Sequence, residues 1–363
     1  MGDLKINLPE PLQRSSFRAL DGLRGISIGI VIIAHVLTPF LGNSYAGLIG
    51  VYVFFVISGF LITTLLLKER LQYGSISLTG FYIRRCLRIL PVAYLFLLVL
   101  VCLNYIFKLA IPGRSFLTCF LFIKNLPVLQ NFDWYTGHFW SLGVEEQFYL
   151  LFPCLLVSLS LRNYKRLIVC LIAIIPVLCY IQAKNLDVTY LHVPNYIHLI
   201  ISWVVNLFGG GTVLILTGSL FSILLLTQNR FIIRVSDKAP AFSSLLLFIT
   251  GSILLFPTLP TPVRFFSVAI FGFLVAFVII LNLKERAIFS RWLEFEWMKK
   301  LGILSYSLYI WQQLFTYKQP WHNAGSNVWL LLLNLAALFI VSVLSYSLYE
   351  KKFLHYKKRF KRV

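Results

Sequence analysis

Long apolar runs alternate with short polar segments along the whole chain. Ten of these runs are close to the roughly 20 residues that an α-helix needs to cross the hydrocarbon core of a bilayer. The runs cover residues 22–41, 45–67, 89–110, 142–161, 167–181, 197–227, 241–257, 263–283, 301–317 and 328–349. The pattern therefore predicts an all-α fold, a polytopic transmembrane helical bundle with about ten spans.

Composition supports the membrane assignment. Of the 363 residues, 59% are hydrophobic and only 13% are charged, whereas charged residues make up about a quarter of a soluble domain. The first seventeen residues lack the apolar core and cleavage site of a secretory signal. We therefore expect the first span to direct insertion and residues 1–16 to stay attached as a cytoplasmic tail.

The basic residues indicate the topology. Lys and Arg gather in short segments between the apolar runs, within residues 14–18, 68–88, 162–166, 230–238, 284–300 and 351–362. All six segments fall on one side of the membrane if both termini are cytoplasmic, as the positive-inside rule requires. We assign most of the net charge of +20 to topology, part of it to attraction of an anionic cofactor or lipid headgroups, and expect no nucleic-acid partner.

Two apolar segments are not simple crossings in this arrangement. The segment 115–126 is too short to cross the membrane and includes Lys124 and Asn125, which predicts a re-entrant or interfacial segment on the outer side. The run 197–227 is interrupted by three glycines at 209–211. It is either one broken crossing, whose exposed backbone must be buried or line a cavity, or two short helices joined by a tight turn.

Arg24 and His35 are ionisable residues inside the first apolar run. Eleven residues at about 100° each leave the two on one helix face, about 16 Å apart. A charged group inside a membrane is costly and indicates a functional site. The alternatives are that Arg24 marks the cytoplasmic boundary and that His35 makes one helix-to-helix hydrogen bond.

A second polar stretch opens the fourth run, with His138, Trp140, Ser141 and Glu145 in the sequence HFWSLGVEEQFYLLFP. Glu145 lies about two helical turns beyond His138 and points into the bundle, where an unpaired carboxylate is costly. His35 is its candidate partner, because a carboxylate-polarised imidazole can deprotonate a hydroxyl near neutral pH. The neighbouring Glu146 is expected on the helix surface near water.

Other motifs admit both structural and chemical interpretations. Arg85 and Arg88 lie three residues apart on one helix face, and such pairs bind either phosphate groups or lipid headgroups. Ser58 and Gly59 are small mid-membrane residues that favour helix packing over nucleophilic chemistry. The six cysteines show no metal-binding or disulfide spacing, so we expect no metal site.

Six sequence segments follow one another along the chain in an order that is typical of one protein family. They are FRALDGLRG followed by His35, GVYVFFVISGFLI, FYIRRCLRILP, HFWSLGVEEQFYLLFP, LGILSYSLYIWQQ and SYSLYE. Together they resemble the acyltransferase 3 family of integral membrane acyltransferases, over nearly the whole chain. The resemblance predicts a transmembrane acyltransferase domain over residues 17–353 and a basic cytoplasmic tail over residues 354–363.

The resemblance implies transfer of an acetyl group from cytoplasmic acetyl-CoA to a hydroxyl of an envelope polysaccharide or glycolipid, in a bacterial inner membrane. The implied roles are catalysis by His35 and Glu145, donor binding by Arg24, Arg85 and Arg88, and acceptor binding by His138, Trp140 and Ser141. Many relatives carry a further His where this chain has Gln312 and Gln313, so a second catalytic His is excluded there. Some relatives append a soluble esterase-like domain, which we do not expect here.

The spacing fits that chemistry, because a donor could anchor its phosphates near Arg24 while its pantetheine arm reaches His35 through one shared passage. His35 would either deprotonate the acceptor or carry the acetyl group transiently, and the sequence leaves both open. The main rival is a transporter or flippase for a polysaccharide precursor, in which the buried charges bind substrate without covalent chemistry. A non-enzymatic assembly factor is the third possibility.

Overall fold

A computed structural model describes residues 9–13, 17–41, 45–126, 133–184, 194–256, 261–284, 287–321 and 328–360, and its regular structure there is helical. The helices of the first half are α1 (Glu10–Gln13), α2 (Arg18–Leu41), α3 (Tyr45–Tyr73), α4 (Leu78–Phe107), α5 (Gly113–Phe120), α6 (Phe139–Ser158) and α7 (Leu161–Ala183). Those that follow are α8 (Asn195–Phe208), α9 (Gly210–Leu226), α10 (Arg230–Lys238), α11 (Ser243–Leu254), α12 (Thr261–Leu283), α13 (Ile288–Leu293), α14 (Glu296–Trp311), α15 (Val328–Leu344) and α16 (Lys351–Lys357). A π-helical turn (Ser345–Glu350) joins α15 to α16.

Each of the ten predicted runs coincides with a helix or with a pair of helices. Six helices in the described ranges are long and apolar enough to cross a membrane, and the bent pair α8–α9 raises the number to seven if it forms one span. The predicted runs at 142–161, 241–257 and 301–317 correspond to α6, α11 and α14, which are shorter or more polar. The chain is therefore an all-helical protein with six to seven membrane-capable helices in its described part.

Local sequence explains where several helices begin. The hydroxyl of Ser77 accepts a hydrogen bond from the Gly80 amide at the start of α4, and Ser160 caps α7 in the same way. A capping side chain satisfies one of the amides that the first helical turn leaves without a partner. Pro91 lies inside α4, which begins at Leu78 and continues through the proline.

The predicted interruption at the three glycines is present. α8 ends at Phe208 and α9 begins at Gly210, with an angle of 55° between the two helices. Gly211 is pressed against α3, since a methyl group added to it would lie 2.7 Å from the Phe55 ring. The glycines themselves do not line the cavities described below; they allow α9 to approach α3 closely behind Phe55.

The central helix is α3, which is buried along most of its length and packs most extensively on α9. A methyl group added to Gly59 would lie 1.8 Å from the Ile215 carbonyl oxygen, and one added to Gly218 would lie 2.1 Å from the Val56 carbonyl oxygen. The prediction that Gly59 serves packing is confirmed. Small residues at such a crossing bring the two backbones into direct contact.

The segment 115–126 folds as α5 followed by turns, and its polar residues point inward. Lys124 is 4% exposed and lies 3.1 Å from the Asp133 carboxylate. The amide of Asn125 exchanges two hydrogen bonds with that of Gln147, at 3.0 and 2.9 Å. The segment is thereby attached to the first half of α6, which carries the predicted acidic and acceptor-binding residues.

Candidate active site

Five of the residues predicted to carry chemistry face one small cavity between α2, α3, α4, α6 and α14. The cavity has a volume of about 80 Å³. The five predicted residues are Arg24, Arg85, Arg88, Ser141 and Glu145. The cavity thus combines three guanidinium groups with one carboxylate inside the bundle.

Glu145 is held by hydroxyl groups. Ser58 donates a hydrogen bond to one carboxylate oxygen at 2.9 Å, and Tyr149 donates to the other at 3.2 Å. The predicted pair between His35 and Glu145 is not formed, because both groups have other partners. Ser58, which the sequence assigned to packing, is a cavity residue and a carboxylate donor.

The three arginines are only partly neutralised. Arg24 lies 3.7 Å from Asp21, one turn earlier in α2. Arg85 stacks over the rings of Phe81 and Tyr149, and its Nε has no hydrogen-bond partner. No ion pair or hydrogen bond holds Arg88 in the described ranges. Unpaired guanidinium groups beside a cavity are suited to an anionic ligand.

A larger and strongly basic cavity adjoins the first one on the side where α3 ends and α4 begins. This cavity, the vestibule, has a volume of about 820 Å³. Arg85 and Arg88 line both spaces, so the two cavities meet at the arginine pair. The remaining cationic lining residues of the vestibule are Lys68, Arg84, Lys351, Lys357 and Lys358.

His35 lies outside the arginine-lined cavity. Its Nδ1 is 2.6 Å from the amide oxygen of Gln312, and its ring contacts that of Trp134 edge to face. Tyr309 lines the cavity three residues before Gln312, so His35 lies about 5 Å further along the α14 direction. His35 is not a lining residue of that cavity, so the shared passage from the guanidinium groups to His35 stays a prediction.

The three predicted acceptor-binding residues differ in placement. Ser141 lines the cavity and its hydroxyl is 2.6 Å from that of Tyr309. Trp140 packs edge to face on Phe55 and is not a lining residue. His138 is 4% exposed, and neither of its ring nitrogens has a hydrogen-bond partner.

His138 and Tyr309 form the boundary between the cavity and the surroundings of His35. The backbone carbonyl of His138 accepts hydrogen bonds from Ser141 at 3.0 Å and from Tyr309 at 3.3 Å. Its ring contacts that of Tyr309. A nearby indole, that of Trp311, also has a buried nitrogen without a partner. This boundary therefore contains polar groups that a bound hydroxyl compound could satisfy.

One expectation about a neighbouring residue needs correction. Glu146 is half-buried, and one of its carboxylate oxygens is enclosed without a hydrogen-bond partner, so it does not lie on the helix surface near water. Three hydroxyl residues of α14 that were not predicted as site residues, Ser305, Tyr306 and Tyr309, also line the cavity. Tyr309 follows Ser305 by four residues and Tyr306 by three, and this helical spacing was the available signal.

Comparison with known protein families agrees with the resemblance described from the sequence. The acyltransferase 3 family model, described as an acyltransferase domain, matches residues 17–350 of this chain. No solved structure matches the chain significantly.

Two relatives from Staphylococcus aureus match a shorter region. The O-acetyltransferase OatA of strain NCTC 8325 / PS 47 is 36% identical over 157 residues, which cover 40% of this chain and 25% of OatA. A protein of strain COL named "Putative O-acetyltransferase SACOL0978" is 39% identical over 158 residues, which cover 40% of this chain and 26% of that protein. The match thus spans about a quarter of the length of these relatives.

Proposed function

Because the chain belongs to the acyltransferase 3 family, we propose that it is a membrane O-acetyltransferase. In this proposal it moves an acetyl group from cytoplasmic acetyl-CoA to a hydroxyl of an extracytoplasmic envelope carbohydrate. The observation that carries the proposal is the junction of two cavities at Arg85 and Arg88, one large and basic, the other small and next to Glu145. The names of the Staphylococcus aureus relatives support O-acetyl transfer.

The donor enters from the vestibule in this proposal. A volume of about 820 Å³ lies within the range of pockets that hold drug-sized ligands. The phosphates of CoA contact the cations there, and the thin pantetheine arm passes Arg85 and Arg88 into the inner cavity. Arg24 is the third guanidinium group along that path.

The inner cavity favours a short acyl group. Its volume of about 80 Å³ suits the thioester end of an acetyl donor better than a long acyl chain. Phe54 and Phe55 line it on α3, and Leu142 on α6. Ser58, Ser141 and Tyr309 offer hydroxyl groups that can orient a thioester carbonyl.

In the transfer step, an acceptor oxygen forms a bond to the acetyl carbon while the carbon–sulfur bond to CoA breaks. A base removes the hydroxyl proton, which finally neutralises the CoA thiolate. We assign the base to His35 on the acceptor side and electrostatic support to Glu145. Phe54 and Tyr309 line the cavity and their rings are in contact; in this proposal their side chains move to let the acetyl group reach the acceptor or His35.

The proposal includes a topology of ten spans with both termini in the cytoplasm. The spans are α2, α3, α4, α6, α7, the α8–α9 pair, α11, α12, α14 and α15. This arrangement places the vestibule in the cytoplasm and the neighbourhood of His35 on the outer side. We place the protein in the cytoplasmic membrane of a bacterium.

Purified protein in detergent, incubated with labelled acetyl-CoA and a panel of envelope glycans, tests the activity. We expect label on a glycan and equimolar free CoA. His35→Ala should lower kcat by about 100-fold or more, because a general base is lost. Arg85→Ala should raise the KM for acetyl-CoA by about tenfold and change kcat less, because it removes a phosphate contact.

His198→Ala in α8 and Arg162→Ala in α7 are the matched controls, since neither residue lines either cavity. Both variants should keep activity within about twofold, a difference of under about 0.5 kcal/mol. If the wild-type protein releases no CoA with any glycan but moves glycan across vesicle membranes, the transporter interpretation is correct. Full acetylation in cells carrying His35→Ala would exclude the assigned role of His35.

A further inference from the structure

The C-terminal segment 351–360 forms one wall of the vestibule. Its lining residues include Lys351, His355, Lys357 and Lys358. On sequence grounds these cations belong to a basic tail that sets membrane topology. In the structure the segment folds back over the start of α4 and faces the arginines of the candidate active site.

The attachment of this segment is specific. α16 packs on α4, and Nη1 of Arg84 donates a hydrogen bond to the Phe360 carbonyl oxygen at 2.5 Å. The π-helical turn that precedes α16 is held by Glu350, which accepts a hydrogen bond from Ser307. The wall is therefore connected to α4 at one end and to α14 at the other.

The vestibule has a large excess of positive charge. Among the residues that the structure describes, seven Lys and Arg side chains line it, against one carboxylate, that of Glu69. Glu69 is buried and lies 3.2 Å from Arg84, so it does not neutralise the tail. Lys351, Lys357 and Lys358 make no hydrogen bond or ion pair within the described residues.

Lys357 has the most unfavourable surroundings of the three lysines. It is half-buried, and Arg24, Arg84, Arg85 and Arg88 all act on it electrostatically. Like charges gathered in a partly buried space destabilise the fold unless an anion occupies it. An occupant with several phosphate groups matches the number and spread of these cations.

We infer that the tail lysines are part of the donor site and bind the phosphate groups of a phosphorylated adenosine nucleotide, the head of CoA. This inference rests on the proposed function and extends it. The arginine pair guides the pantetheine arm, while Lys351 and Lys357 hold the nucleotide against the opposite wall. The tail thereby contributes donor affinity in addition to membrane orientation.

Anionic phospholipid is the competing source of phosphate. A lipid headgroup carries one phosphodiester, whereas the vestibule offers seven cations in about 820 Å³, which favours the nucleotide. The two sources are separable by measuring binding in nanodiscs of phosphatidylcholine and of phosphatidylglycerol.

The test compares two double variants with the same change in net charge. Lys351→Gln with Lys357→Gln removes two lining cations, whereas Lys352→Gln with Arg359→Gln removes two neighbours outside the lining. CoA, dephospho-CoA and adenosine 3′,5′-bisphosphate are titrated against each full-length protein in phosphatidylcholine nanodiscs. Thermal melting and size-exclusion profiles confirm that every variant is folded.

We expect the double variant Lys351→Gln with Lys357→Gln to raise the Kd of CoA by about tenfold or more, since each charge-assisted phosphate contact contributes on the order of 1 kcal/mol. The control pair should change it by less than about twofold. The same double variant should raise the Kd of dephospho-CoA by a smaller factor, because dephospho-CoA lacks one phosphate. Lys351→Arg with Lys357→Arg, which keeps both charges, should restore most of the affinity.

Equal effects of the two double variants, or no effect of either, would exclude the tail from the donor site while leaving the proposed function intact. Failure of the wild-type protein to bind CoA at all would instead contradict the donor assignment itself. If phosphatidylglycerol nanodiscs abolish CoA binding to the wild-type protein but not to the lining variant, the tail lysines bind lipid and the inference is wrong.

Discussion

At the scale of single residues, the orientation of the His35 ring is set by a chain of amides. Gln312 places its amide oxygen 2.6 Å from Nδ1 of His35 and donates its NH₂ to the side-chain oxygen of Gln313. Gln313 in turn donates to the Trp134 carbonyl oxygen. Because this chain fixes the amide of Gln312, Nδ1 of His35 must carry the proton and Nε2 is left as the basic nitrogen.

Replacement of Gln312 by Leu should therefore impair His35 without changing donor binding. We expect kcat to fall by about tenfold to 100-fold with an unchanged KM for acetyl-CoA, because the ring loses its fixed tautomer. Gln312→Glu should keep the hydrogen bond, stabilise the imidazolium form and move the acid limb of the pH–rate profile to higher pH. Steady-state kinetics between pH 5 and 9 measure both effects.

Gln182→Leu is the matched control, since Gln182 donates a hydrogen bond to Ser202 and does not line the candidate active site. An unchanged pH profile in Gln312→Glu would show that Gln312 only packs against His35.

At the scale of elements, the segment that follows α4 is held in place by an ion pair. Nζ of Lys124 lies 3.1 Å from Oδ2 of Asp133, and Ser115 donates a hydrogen bond to the same oxygen at 2.8 Å. The amide of Thr136 donates to Oδ1 at 2.9 Å. Trp134, the residue after Asp133, contacts His35, so the cluster also positions one wall of the His35 site.

This cluster should make the stability of the segment that follows α4 depend on pH. Burial alone would raise the pKa of Asp133, but hydrogen bonds from Thr136 and Ser115 and the charge of Lys124 lower it below the usual value. Folding therefore favours the carboxylate. The stabilisation is complete above the ordinary pKa of an aspartate and is lost as the pH falls through the lower folded-state pKa.

Asp133→Asn should lower the free energy of unfolding by about 3 kcal/mol, because the buried ammonium of Lys124 loses its counter-charge. Thermal melting in detergent at pH 7 measures the loss. Asp237→Asn is the control, since Asp237 pairs with Lys284 at an exposed site. This variant should lower the free energy of unfolding by less than about 1 kcal/mol. Equal losses in the two variants would contradict the structural role of the cluster.

At the scale of the whole molecule, the small cavity lies between the basic vestibule and the His35 site. Arg85 and Arg88 line both the vestibule and the cavity, and Tyr309 lines the cavity three residues before Gln312, the partner of His35. In the proposed function, a donor bound in the vestibule is brought towards an acceptor near His35 without either compound crossing the membrane. The proposed ten-span topology puts these two regions on opposite sides of the membrane.

Reporter fusions test that topology. Alkaline phosphatase, which is active only outside the cytoplasm, should be active when fused after Lys184 and inactive after Tyr73 or Thr227. A fluorescent protein that folds only inside should give the opposite pattern. The decisive pair is Lys184 and Thr227, because the α8–α9 pair is a single span only if these two positions lie on opposite sides. Activity at both positions would exclude the ten-span topology.

The positions of the helices could be predicted from sequence because their cause is local. An apolar run of about 20 residues loses backbone hydrogen bonding in lipid unless it is helical, and every predicted run coincides with a helix. The break at Gly209 and the packing role of Gly59 were also predictable from residue type. The number of spans does not follow from run length alone, because α6, α11 and α14 are shorter or more polar than the other helices.

The candidate site could be predicted in part. Arg24 and Glu145 were chosen because charge is costly in an apolar helix, whereas the roles of Arg85, Arg88 and Ser141 came from the family resemblance. The structure places these five residues around one cavity. Their roles remain proposals. The partner of Glu145 was predicted wrongly, because helical spacing gives the height of a residue in the membrane but not the rotation of its helix against a distant one.

The sequence by itself determined that the chain is a helical membrane protein and where its costly polar residues lie, because transfer of each segment into lipid depends on that segment alone. Only the tertiary structure decided that Ser58 and Tyr149 hold Glu145, that Gln312 holds His35, and that the basic tail closes the vestibule. Such contacts join residues far apart in the chain. They depend on the packing of side chains between helices, which no local pattern encodes.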